Sequence, residues 1–518
     1  MEYLVSVAST CFTLVIISVI WRICVVVLWR PYALTRYFRK QGVMGPSHSL
    51  VSGSLREMKK MSREARQKVM DVNSHDITPR VLPHYHKWSS LYGETFLYWY
   101  GKEARICISD AELVKQILSN KFGFYTKPKT RPSIQTLVGN GLVLADGLEW
   151  VKRRRILNPA FSVDKLKVMV KRMTECTVCM VEEWKRQVME TEDKCKTIVI
   201  DEEFQELTAD IIAHTAFGSS FAQGKEVFIA QRQLQQHCVA SASDIFIPGT
   251  QYLPTRSNLK TWQLDWKIKK SLKQIMESRL NSQSSSSYGD DLLGVMLEAA
   301  ETEKLNSGPK FRMEEIIEEC KTFFFAGHET TSNLLTWTVF LLSIHKEWQE
   351  RLRQEVLNNC GMEIPDAEVL SKLKMVNMVL LEALRLYCPA IQLIRETSED
   401  MKLGNLRIPK HTCVTIPVAT IHRKREYWGE DANEFKPERF MNGVSKAASH
   451  PNAMIAFSIG PRACIGQNFA MLEAKTVMVL ILQRFSWSLS PHYKHAPANN
   501  LTLQPQFGLP VILKPLHS

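Results

Sequence analysis

The sequence predicts a mainly α-helical protein with a small β subdomain, placed behind one N-terminal transmembrane helix. Three observations predict this fold class: an apolar run from Leu4 to Trp29, helical periodicity over most of the chain after about residue 85, and few strand-like patches. Of the 518 residues, 45% are apolar and 23% are charged. This composition is typical of a globular protein and excludes wholesale disorder, collagen-like repeats and a coiled-coil rod.

The apolar run predicts a membrane anchor over residues 1–30. Its first 18 residues, Leu4 to Trp21, would reach roughly 27 Å as a helix, about the thickness of an endoplasmic reticulum bilayer. Only Glu2 precedes the run, and basic residues follow it from Arg30 onward, so the positive-inside rule places the rest of the chain in the cytosol. A cleaved signal peptide is disfavoured by the acidic first residues and by the lack of a small-residue cleavage site. A buried core helix is the remaining alternative.

A basic tether with a hinge is expected over residues 31–54, because Gly45-Pro46 and Gly53-Ser54 are turn signals. Residues 55–518 then form one body. Within it, Met313 to Ile344 is the longest helical pattern, about 48 Å if fully helical, so it must cross the whole body. Strand-like patches are expected at residues 95–100, 104–109, 403–408, 411–418, 501–504 and 511–514.

Charge and cysteine content narrow the class of partner and compartment. The 66 basic and 53 acidic residues give a net charge of +13, which suits an acidic partner or an anionic membrane surface. No zinc-finger spacing, RNA-binding string or basic region before heptads is present, so nucleic acid is not expected as a partner. Twelve cysteines are too dilute for a disulfide scaffold and favour a reducing compartment. Cys176 and Cys179 form a Cys-x-x-Cys pair, interpreted as helix packing because no partner ligands follow at zinc spacing.

One cysteine lies between glycines in Phe457-Ser-Ile-Gly460-Pro-Arg462-Ala-Cys464-Ile-Gly466, just before an apolar helical segment. Small residues let a planar ligand approach the backbone, and amides at the start of the next helix favour the thiolate. Phe457 would cover one side of the sulfur, and Arg462 would pair with a carboxylate. A thiolate ligand to haem iron would use all these features. The alternative is a plain turn that contains cysteine, but the spacing of Phe457 favours the ligand.

These ten residues resemble the haem loop of the cytochrome P450 family, Phe-x-x-Gly-x-Arg-x-Cys-x-Gly, at every fixed position. Further family motifs are matched by Trp150 with Arg154, by Ala326-Gly327-His328-Glu329-Thr330-Thr331, and by Glu382-Ala-Leu-Arg385 with Phe435-Lys-Pro437-Glu438-Arg439-Phe440. The resemblance implies the cytochrome P450 fold, with residues 55–518 as a haem-thiolate catalytic domain. It also implies haem b, with Cys464 as the ligand to iron and Phe457, Gly460, Arg462 and Gly466 around the cofactor.

The resemblance assigns roles to the other motifs. Thr330 would hydrogen-bond dioxygen, Glu329 would relay protons from water, and Gly327 would leave room above the iron. Without the cysteine motif, Thr330 would be interpreted as bonding back to the carbonyl four residues earlier. Glu382 and Arg385, three residues apart on one helix face, would form a structural triad with Arg439. The implied partners of the haem propionates are Trp150, Arg154, Arg395 and Arg462.

The basic run at residues 152–155 has a second expected role. Arg154 is assigned to the haem, and Lys152, Arg153 and Arg155 are expected to be exposed, where they would dock an acidic electron-transfer flavoprotein. One departure from the family is Cys388-Pro389, where two prolines are common. We expect it to change the substrate-facing loop without loss of haem binding.

The resemblance implies a single-pass enzyme of the endoplasmic reticulum membrane whose catalytic domain is cytosolic. It would insert one atom of O2 into a C–H bond of a small lipophilic substrate. Electrons would come from NADPH through NADPH–cytochrome P450 reductase, with cytochrome b5 as a second donor. The alternatives are a haem-thiolate enzyme that rearranges a hydroperoxide and a non-catalytic haem sensor or carrier. The intact Glu329-Thr330 pair argues against the first, and the proton-delivery residues argue against the second.

Finer resemblance is to plant enzymes that oxidise hormones, isoprenoids and fatty acids. The strings Leu207-Thr-Ala-Asp-Ile-Ile212 and Glu319-Cys-Lys-Thr-Phe-Phe-Phe325 look like that clan. The C-terminal third is similar to a subfamily with in-chain fatty-acid hydroxylases, near the cytokinin hydroxylases. Substrate-lining stretches are expected at residues 133–144, 390–394 and 506–509, with Arg131 as either a carboxylate anchor or a surface residue.

Overall fold

A computed structural model describes residues 2–218, 221–241, 246–247, 249–281, 288–289, 291–302 and 311–516. It confirms the predicted fold class, since most of these residues are helical and the strands are short. The long helix expected from Met313 to Ile344 is observed with those bounds.

The helices are numbered in chain order. They are α1 Glu2–Cys24, α2 Arg30–Arg39, α3 Leu55–Gln67, α4 Thr78–Val81, α5 Pro83–Tyr92, α6 Ala111–Leu118, α7 Pro132–Val138, α8 Gly147–Leu157, α9 Val163–Met189, α10 Ile200–Phe217, α11 Phe221–Ser241, α12 Arg256–Asn281, α13 Leu292–Thr302, α14 Met313–Ile344, α15 Lys346–Cys360, α16 Ala367–Lys372, α17 Lys374–Leu386, α18 Val418–Ile421, α19 Arg425–Trp428 and α20 Gln467–Arg484.

The strands form a small β region. They are β1 Phe96–Tyr100, β2 Glu103–Cys107, β3 Tyr125–Thr126, β4 Lys196–Val199, β5 Leu393–Thr397, β6 Met401–Leu403, β7 Leu406–Ile408, β8 Cys413–Ile416, β9 Phe485–Leu489, β10 Pro497–Asn500, β11 Thr502–Pro505 and β12 Pro510–Pro515. The largest sheet has the order β1-β2-β8-β5-β3, and only its β2–β8 pair is parallel among the described strands. A second sheet has the order β4-β12-β9, and β10-β11 and β6-β7 are hairpins.

The first helix is the candidate membrane span. Among the described residues, one helix is long and apolar enough to cross a bilayer, Tyr3–Arg39, with a mean hydropathy of 2.6 in its most apolar window. A π-helical turn, Val25–Trp29, joins α1 to α2. The C-terminal part of this helix contacts the body, because the Arg30 guanidinium donates to the carbonyl of His411 at 3.2 Å.

The residues expected to form a hinge pack against the body. Phe38 and Val43 are buried in the main core. A Cβ added to Gly45 would lie 1.7 Å from the Leu97 carbonyl oxygen, and one added to Gly53 would lie 2.6 Å from that of Trp99. These two glycines therefore permit a close approach to β1 and do not serve an exposed, flexible joint.

The long helix α14 organises the core. From Phe323 to Ser343 its side chains are buried, except at positions 326, 327 and 330, which are partly accessible. It packs against α10, α17 and α20, and α20 follows the cysteine loop directly. This arrangement places the middle of α14 and the cysteine loop in one core.

Candidate active site

The cysteine loop is held by its own backbone and by one glycine. The Cys464 N–H donates to the Phe457 carbonyl at 2.8 Å, which closes the loop. Gly460 has a φ of +74°, and a Cβ at this position would lie 2.4 Å from the Leu118 carbonyl oxygen. Glycine is therefore needed at position 460 both for the left-handed backbone and for the approach of α6. At Gly466, an added Cβ would meet only Phe161 Cε1, at 3.9 Å, so the backbone there is open to a planar group.

The Cys464 thiol is accessible on one side and surrounded by protein on the others. Burial raises the pKa of this thiol, whereas the Gly466 N–H and the Arg154 guanidinium lower it. Without a metal, burial has the largest effect on this thiol. The helix start and Arg154 therefore favour the thiolate, as expected from the sequence, but only in part. Coordination to a cation deprotonates such a thiol.

A group of cations lies beside the loop. Arg154 donates to the carbonyl of Ala463 at 2.9 Å, and the Arg462 guanidinium lies 4.7 Å from the centre of the Trp150 ring. Arg462 also pairs with Asp146. Arg395 is 3% exposed and donates to its neighbouring carbonyl at 2.9 Å. The structure therefore brings together the four residues expected to contact the propionates.

A fourth cation beside the loop, Lys127, was not predicted from the sequence. Burial and the neighbouring Arg395 and Arg462 lower the pKa of Lys127 to about 7, and Asp146 offsets part of this effect. Burial and Arg462 likewise lower the pKa of Arg395 to about 10. Lysine in a loop before α7 has no spacing signal, so only the folded chain reveals it. Two added carboxylates would relieve the mutual repulsion of these cations.

These residues fit a haem. The open backbone at Gly466 admits a planar group, Cys464 offers a sulfur ligand, and the cation group matches two propionates. Phe457 is half-buried next to the loop, where it would flank the sulfur.

A buried ion pair braces the region behind the loop. Arg385 donates to both carboxylate oxygens of Glu382, at 2.7 and 2.8 Å, and both side chains are fully buried. Its remaining N–H groups donate to the carbonyls of His422, Ala432 and Glu434. All five guanidinium donors are thus satisfied. Arg439 Nε lies 3.6 Å from Glu382, but the main partner of Arg439 is Asp431, at 2.8 Å.

The central face of α14 is defined by Ala326 and Thr330, which lie one turn apart and are partly accessible. The Thr330 hydroxyl donates to the Ala326 carbonyl at 2.7 Å, which is the back-bonded geometry of the alternative interpretation. This bond leaves the lone pairs of the hydroxyl oxygen able to accept a further hydrogen bond. Back-bonding and a role toward dioxygen are therefore compatible.

The expectation for Gly327 is wrong. A Cβ on this glycine would lie 2.8 Å from Ile212 Cδ1 on α10. The missing side chain therefore allows α10 and α14 to pack closely, and it does not open space on the Thr330 face. Close helix packing is a sufficient reason for glycine in the middle of a helix.

Comparison with known proteins identifies this arrangement. The family model described as "Cytochrome P450" matches residues 73–511. The chain belongs to the cytochrome P450 family. It is 55% identical to "Cytochrome P450 709B1" from Arabidopsis thaliana over 96% of each chain, and 40% identical to "Cytokinin hydroxylase" from the same plant over 94% of this chain and 93% of the relative. The structure of retinoic acid-bound cyanobacterial CYP120A1 has a TM-score of 0.72 at 24% identity, covering 86% of this chain and 98% of that one, and shows the same fold.

The resemblance to plant P450s is therefore confirmed, and family membership implies haem-thiolate chemistry with O2. In this P450, Glu329 is 2% exposed. Its Oε1 accepts hydrogen bonds from Gln235 on α11 at 2.9 Å, from Asn333 at 3.3 Å, from Thr502 at 2.5 Å, and from Gln504. Glu329 is therefore buried and does not face solvent directly. The carboxylate is instead tied to α11 and to the β10–β11 hairpin.

The neighbouring His328 points away from solvent. It is 3% exposed, and its Nε2 lies 4.0 Å from Glu329 Oε2. Its Nδ1 bonds to the Phe324 carbonyl at 2.5 Å, and burial lowers the pKa of the imidazole. A neutral ring with Nδ1 as the donor leaves the Nε2 lone pair toward Glu329. Oε2 is thus the Glu329 oxygen that faces His328, whereas Oε1 accepts the four hydrogen bonds.

The expected docking face on α8 needs correction. Arg153 is 7% exposed and forms ion pairs with Glu319 at 2.7 Å and Glu315 at 3.4 Å. Lys152 lies 3.9 Å from Glu315, so these two cations bind α8 to the start of α14. Arg155 is exposed as expected. A run of basic residues on a helix does not reveal acidic partners that the fold brings from about 160 residues away.

Hydrogen bonds of residues in or beside the expected substrate-lining stretches show where these stretches lie in the fold. The Val138 carbonyl accepts from Thr322 at 2.8 Å, so residues after 133 lie against α14. Gln506 accepts from Arg80 at 2.6 Å, which turns its amide toward the N-terminal part of the domain. Arg131 donates to the Ser241 carbonyl at 3.2 Å at the end of α11. Cys388, in place of a proline, is buried, with its thiol 3.4 Å from the Ala390 carbonyl.

Proposed function

We propose that this P450 is a membrane-anchored monooxygenase that hydroxylates a small lipophilic substrate. The reaction converts R–H, O2, NADPH and a proton into R–OH, water and NADP⁺. Bound haem with a thiolate ligand supplies the redox chemistry of O2 cleavage. The observation that carries the proposal is the loop of Cys464, accessible on one side and flanked by Arg154, Arg395 and Arg462.

The proposed roles of the chain's residues follow from their positions. Cys464 is the axial ligand, and Gly460 and Gly466 shape the loop. Trp150, Arg154, Arg395 and Arg462 hold the propionates and orient the cofactor, with Lys127 as a fifth group. Thr330 hydrogen-bonds at the oxygen-binding face, and Glu329 relays protons toward that face.

We place the enzyme in the endoplasmic reticulum membrane with its catalytic domain in the cytosol. The apolar helix Tyr3–Arg39 and the basic residues from Arg30 onward support this placement. The electron donor is NADPH–cytochrome P450 reductase, with cytochrome b5 as a second donor. The net charge of +13 favours acidic partners.

The proposed substrates are a fatty acid, a terpenoid or steroid, or a plant hormone. Similarity to a protein named as a cytokinin hydroxylase makes an isoprenoid adenine one probe. Dodecanoic acid, a triterpenoid and a steroid represent the other classes. The three expected substrate-lining stretches contain no charged residue, which suits all four probes, so the residue types alone do not choose among them.

The test uses full-length protein in microsomes with added reductase, and each probe under ¹⁸O2. The proposal expects an oxygenated product that needs NADPH and contains one ¹⁸O atom. A rearrangement enzyme would convert a fatty-acid hydroperoxide without NADPH or O2. Conversion of the hydroperoxide alone, with no NADPH-dependent product from any probe, would replace the monooxygenase by that alternative.

A further inference from the structure

Two packed helices bring a thiol, a carboxylate and an imidazole together, away from the cysteine loop. Cys176 lies on α9, and Asp210 and His214 lie one turn apart on α10. One potential ligand atom from each residue lies within 4.8 Å of the other two. Cys176 Sγ is 3.8 Å from His214 Nδ1, and Asp210 Oδ1 is 2.9 Å from the same nitrogen.

The Cys176–His214 separation is that of two metal ligands, whereas the Asp210–His214 separation of 2.9 Å is shorter. In a tetrahedral site with Zn–S near 2.3 Å and Zn–N near 2.0 Å, the ligand atoms lie roughly 3.3 to 3.8 Å apart. A small outward movement of Asp210 from His214 would meet this geometry. The backbones of α9 and α10 hold all three residues in place before any ion arrives, so little ordering entropy opposes binding.

The three side chains contact one another directly. The buried Asp210 Oδ1 lies 2.9 Å from His214 Nδ1, and the Cys176 thiol also hydrogen-bonds to the Asp210 carboxylate. The His214 Nδ1 faces three electron-rich atoms, namely the Cys176 sulfur, Asp210 Oδ1 and, at 3.0 Å, the Asp210 carbonyl oxygen. A single proton on Nδ1 cannot satisfy all three. A cation placed among them would do so.

Entry and the fourth ligand are also available. The side chains of His214 and Asp210 are 31% and 23% exposed, so an ion reaches them from solvent. Cys179 lies one turn after Cys176 on the same helix and is exposed. Burial first and Asp210 next raise the pKa of the Cys176 thiol. Without a cation the Cys176 thiol therefore keeps its proton.

We propose that Cys176, Asp210 and His214 form a binding site for a thiophilic divalent cation, with zinc as the first choice and Cys179 or water as the fourth ligand. Thiolate, imidazole and carboxylate are the ligands that zinc takes in proteins. The ligands come from two neighbouring helices of one domain, so a bound cation would join α9 to α10. The inference is independent of the monooxygenase proposal, because none of these residues lies near the cysteine loop in sequence or belongs to the cation group.

The first test is zinc binding by the full-length, haem-loaded protein, in which Cys464 is occupied. The protein is treated with a chelator, and Zn²⁺ is then titrated against a coloured zinc indicator. We expect one tightly bound zinc per chain. Cys176→Ala and His214→Ala should each weaken binding at least about 100-fold, as loss of a direct ligand does. Cys238→Ala and His237→Ala, a thiol and an imidazole on α11, are matched controls and should bind zinc like the unchanged protein.

X-ray absorption at the zinc edge of the unchanged protein keeps the test independent of variant folding. The proposal expects one or two sulfur neighbours at about 2.3 Å together with nitrogen or oxygen at about 2.0 Å. Zinc surrounded by oxygen and nitrogen alone, or a zinc affinity no different between the Cys176→Ala and Cys238→Ala proteins, would overturn it.

Discussion

Glu329 on α14 accepts a 2.5 Å hydrogen bond from the hydroxyl of Thr502 on β11. The two residues are 173 positions apart in the chain. The bond ties the helix that carries Thr330 to the C-terminal hairpin, and residues 506–509 of the expected substrate pocket follow that hairpin directly. A change in the hairpin on substrate binding would therefore reach the acid of the oxygen-binding face.

We predict that Thr502→Val weakens coupling between electron use and product formation. Loss of one hydrogen bond to a charged group corresponds to about 1.5–3 kcal/mol, or roughly a 10- to 100-fold effect on the step it supports. The fraction of NADPH electrons recovered as hydrogen peroxide should rise, and product per NADPH should fall. The control variant Thr338→Val removes a buried hydroxyl from α14, one that donates to the Leu334 carbonyl. It should leave the product formed per NADPH unchanged. Equal ratios in the two variants would contradict the role assigned to Thr502.

The Glu382–Arg385 pair should be essential for stability. Because all five donors of Arg385 are bonded and both side chains are fully buried, Arg385→Ala removes the main partner of a buried carboxylate and leaves Arg439 Nε, at 3.6 Å, as its nearest cation. We expect a loss of about 3–5 kcal/mol. The exposed Arg351–Glu438 pair, at 3.0 Å and about 45% exposed, is the matched comparison, and Arg351→Ala should change stability by less than about 1 kcal/mol. The midpoint temperature of thermal haem loss measures the stability of both variants. Similar midpoints for the two would show that the triad does not stabilise the fold.

Gly460→Ala should reduce haem incorporation by more than the cost of placing alanine in a left-handed backbone conformation. The added Cβ meets the Leu118 carbonyl in addition to the left-handed φ. Gly443 has a φ of +88° with nothing within 4 Å of an added Cβ, so Gly443→Ala carries only the backbone penalty of about 1–2 kcal/mol. Haem content per protein should fall in the first variant and stay near normal in the second. The reverse order would exclude the α6 contact as the reason for glycine at 460.

Acid should destabilise the protein well above the pH at which carboxylates titrate. Burial lowers the pKa of His84 and of His422 to about 3, and the unfolded value is about 6.5. The unfolded chain then binds more protons between pH 3 and 6.5, so stability is complete above pH 6.5 and is lost as the pH falls. Each such histidine costs about 2 kcal/mol at pH 5.

The bonds of His422 explain its neutrality and supply the check. Its Nδ1 lies 3.1 Å from the Arg385 carbonyl and its Nε2 accepts from the Ile455 N–H at 3.0 Å, so a neutral ring satisfies both. His422→Gln should flatten the pH dependence of the thermal midpoint between pH 5 and 7. The exposed His411 serves as the control, since His411→Gln should leave the slope unchanged. An unchanged slope in the first variant would mean that other groups cause the acid sensitivity.

Local patterns predicted the fold class, the long helix and the cysteine loop, because each depends on residues close in sequence. The contacts of Gly327 and Arg153 were misjudged because their partners, Ile212 and Glu319, are brought by other helices. Lys127 was not predicted beside the cysteine loop for the same reason, because its neighbours Arg395 and Arg462 are distant in sequence. Periodicity and spacing describe one element at a time, whereas these functions arise where elements meet.

The proposed metal site at Cys176 illustrates the same limit of sequence spacing. The interpretation of the Cys-x-x-Cys pair as packing rested on the absence of further ligands at zinc spacing along the chain. The fold supplies Asp210 and His214 from the neighbouring helix, more than 30 residues later. Ligand sets divided between two helices have no fixed sequence spacing and are found only after the helices pack.

The carbon monoxide difference spectrum of the reduced full-length protein tests the central claim most directly, beside Cys464→Ala and the control Cys360→Ala. The account predicts a red-shifted Soret band, typical of thiolate-ligated haem, that is present in the unchanged protein and the control and absent from Cys464→Ala. A band only at the position of histidine-ligated haem, or a thiolate band that survives in Cys464→Ala, would contradict it.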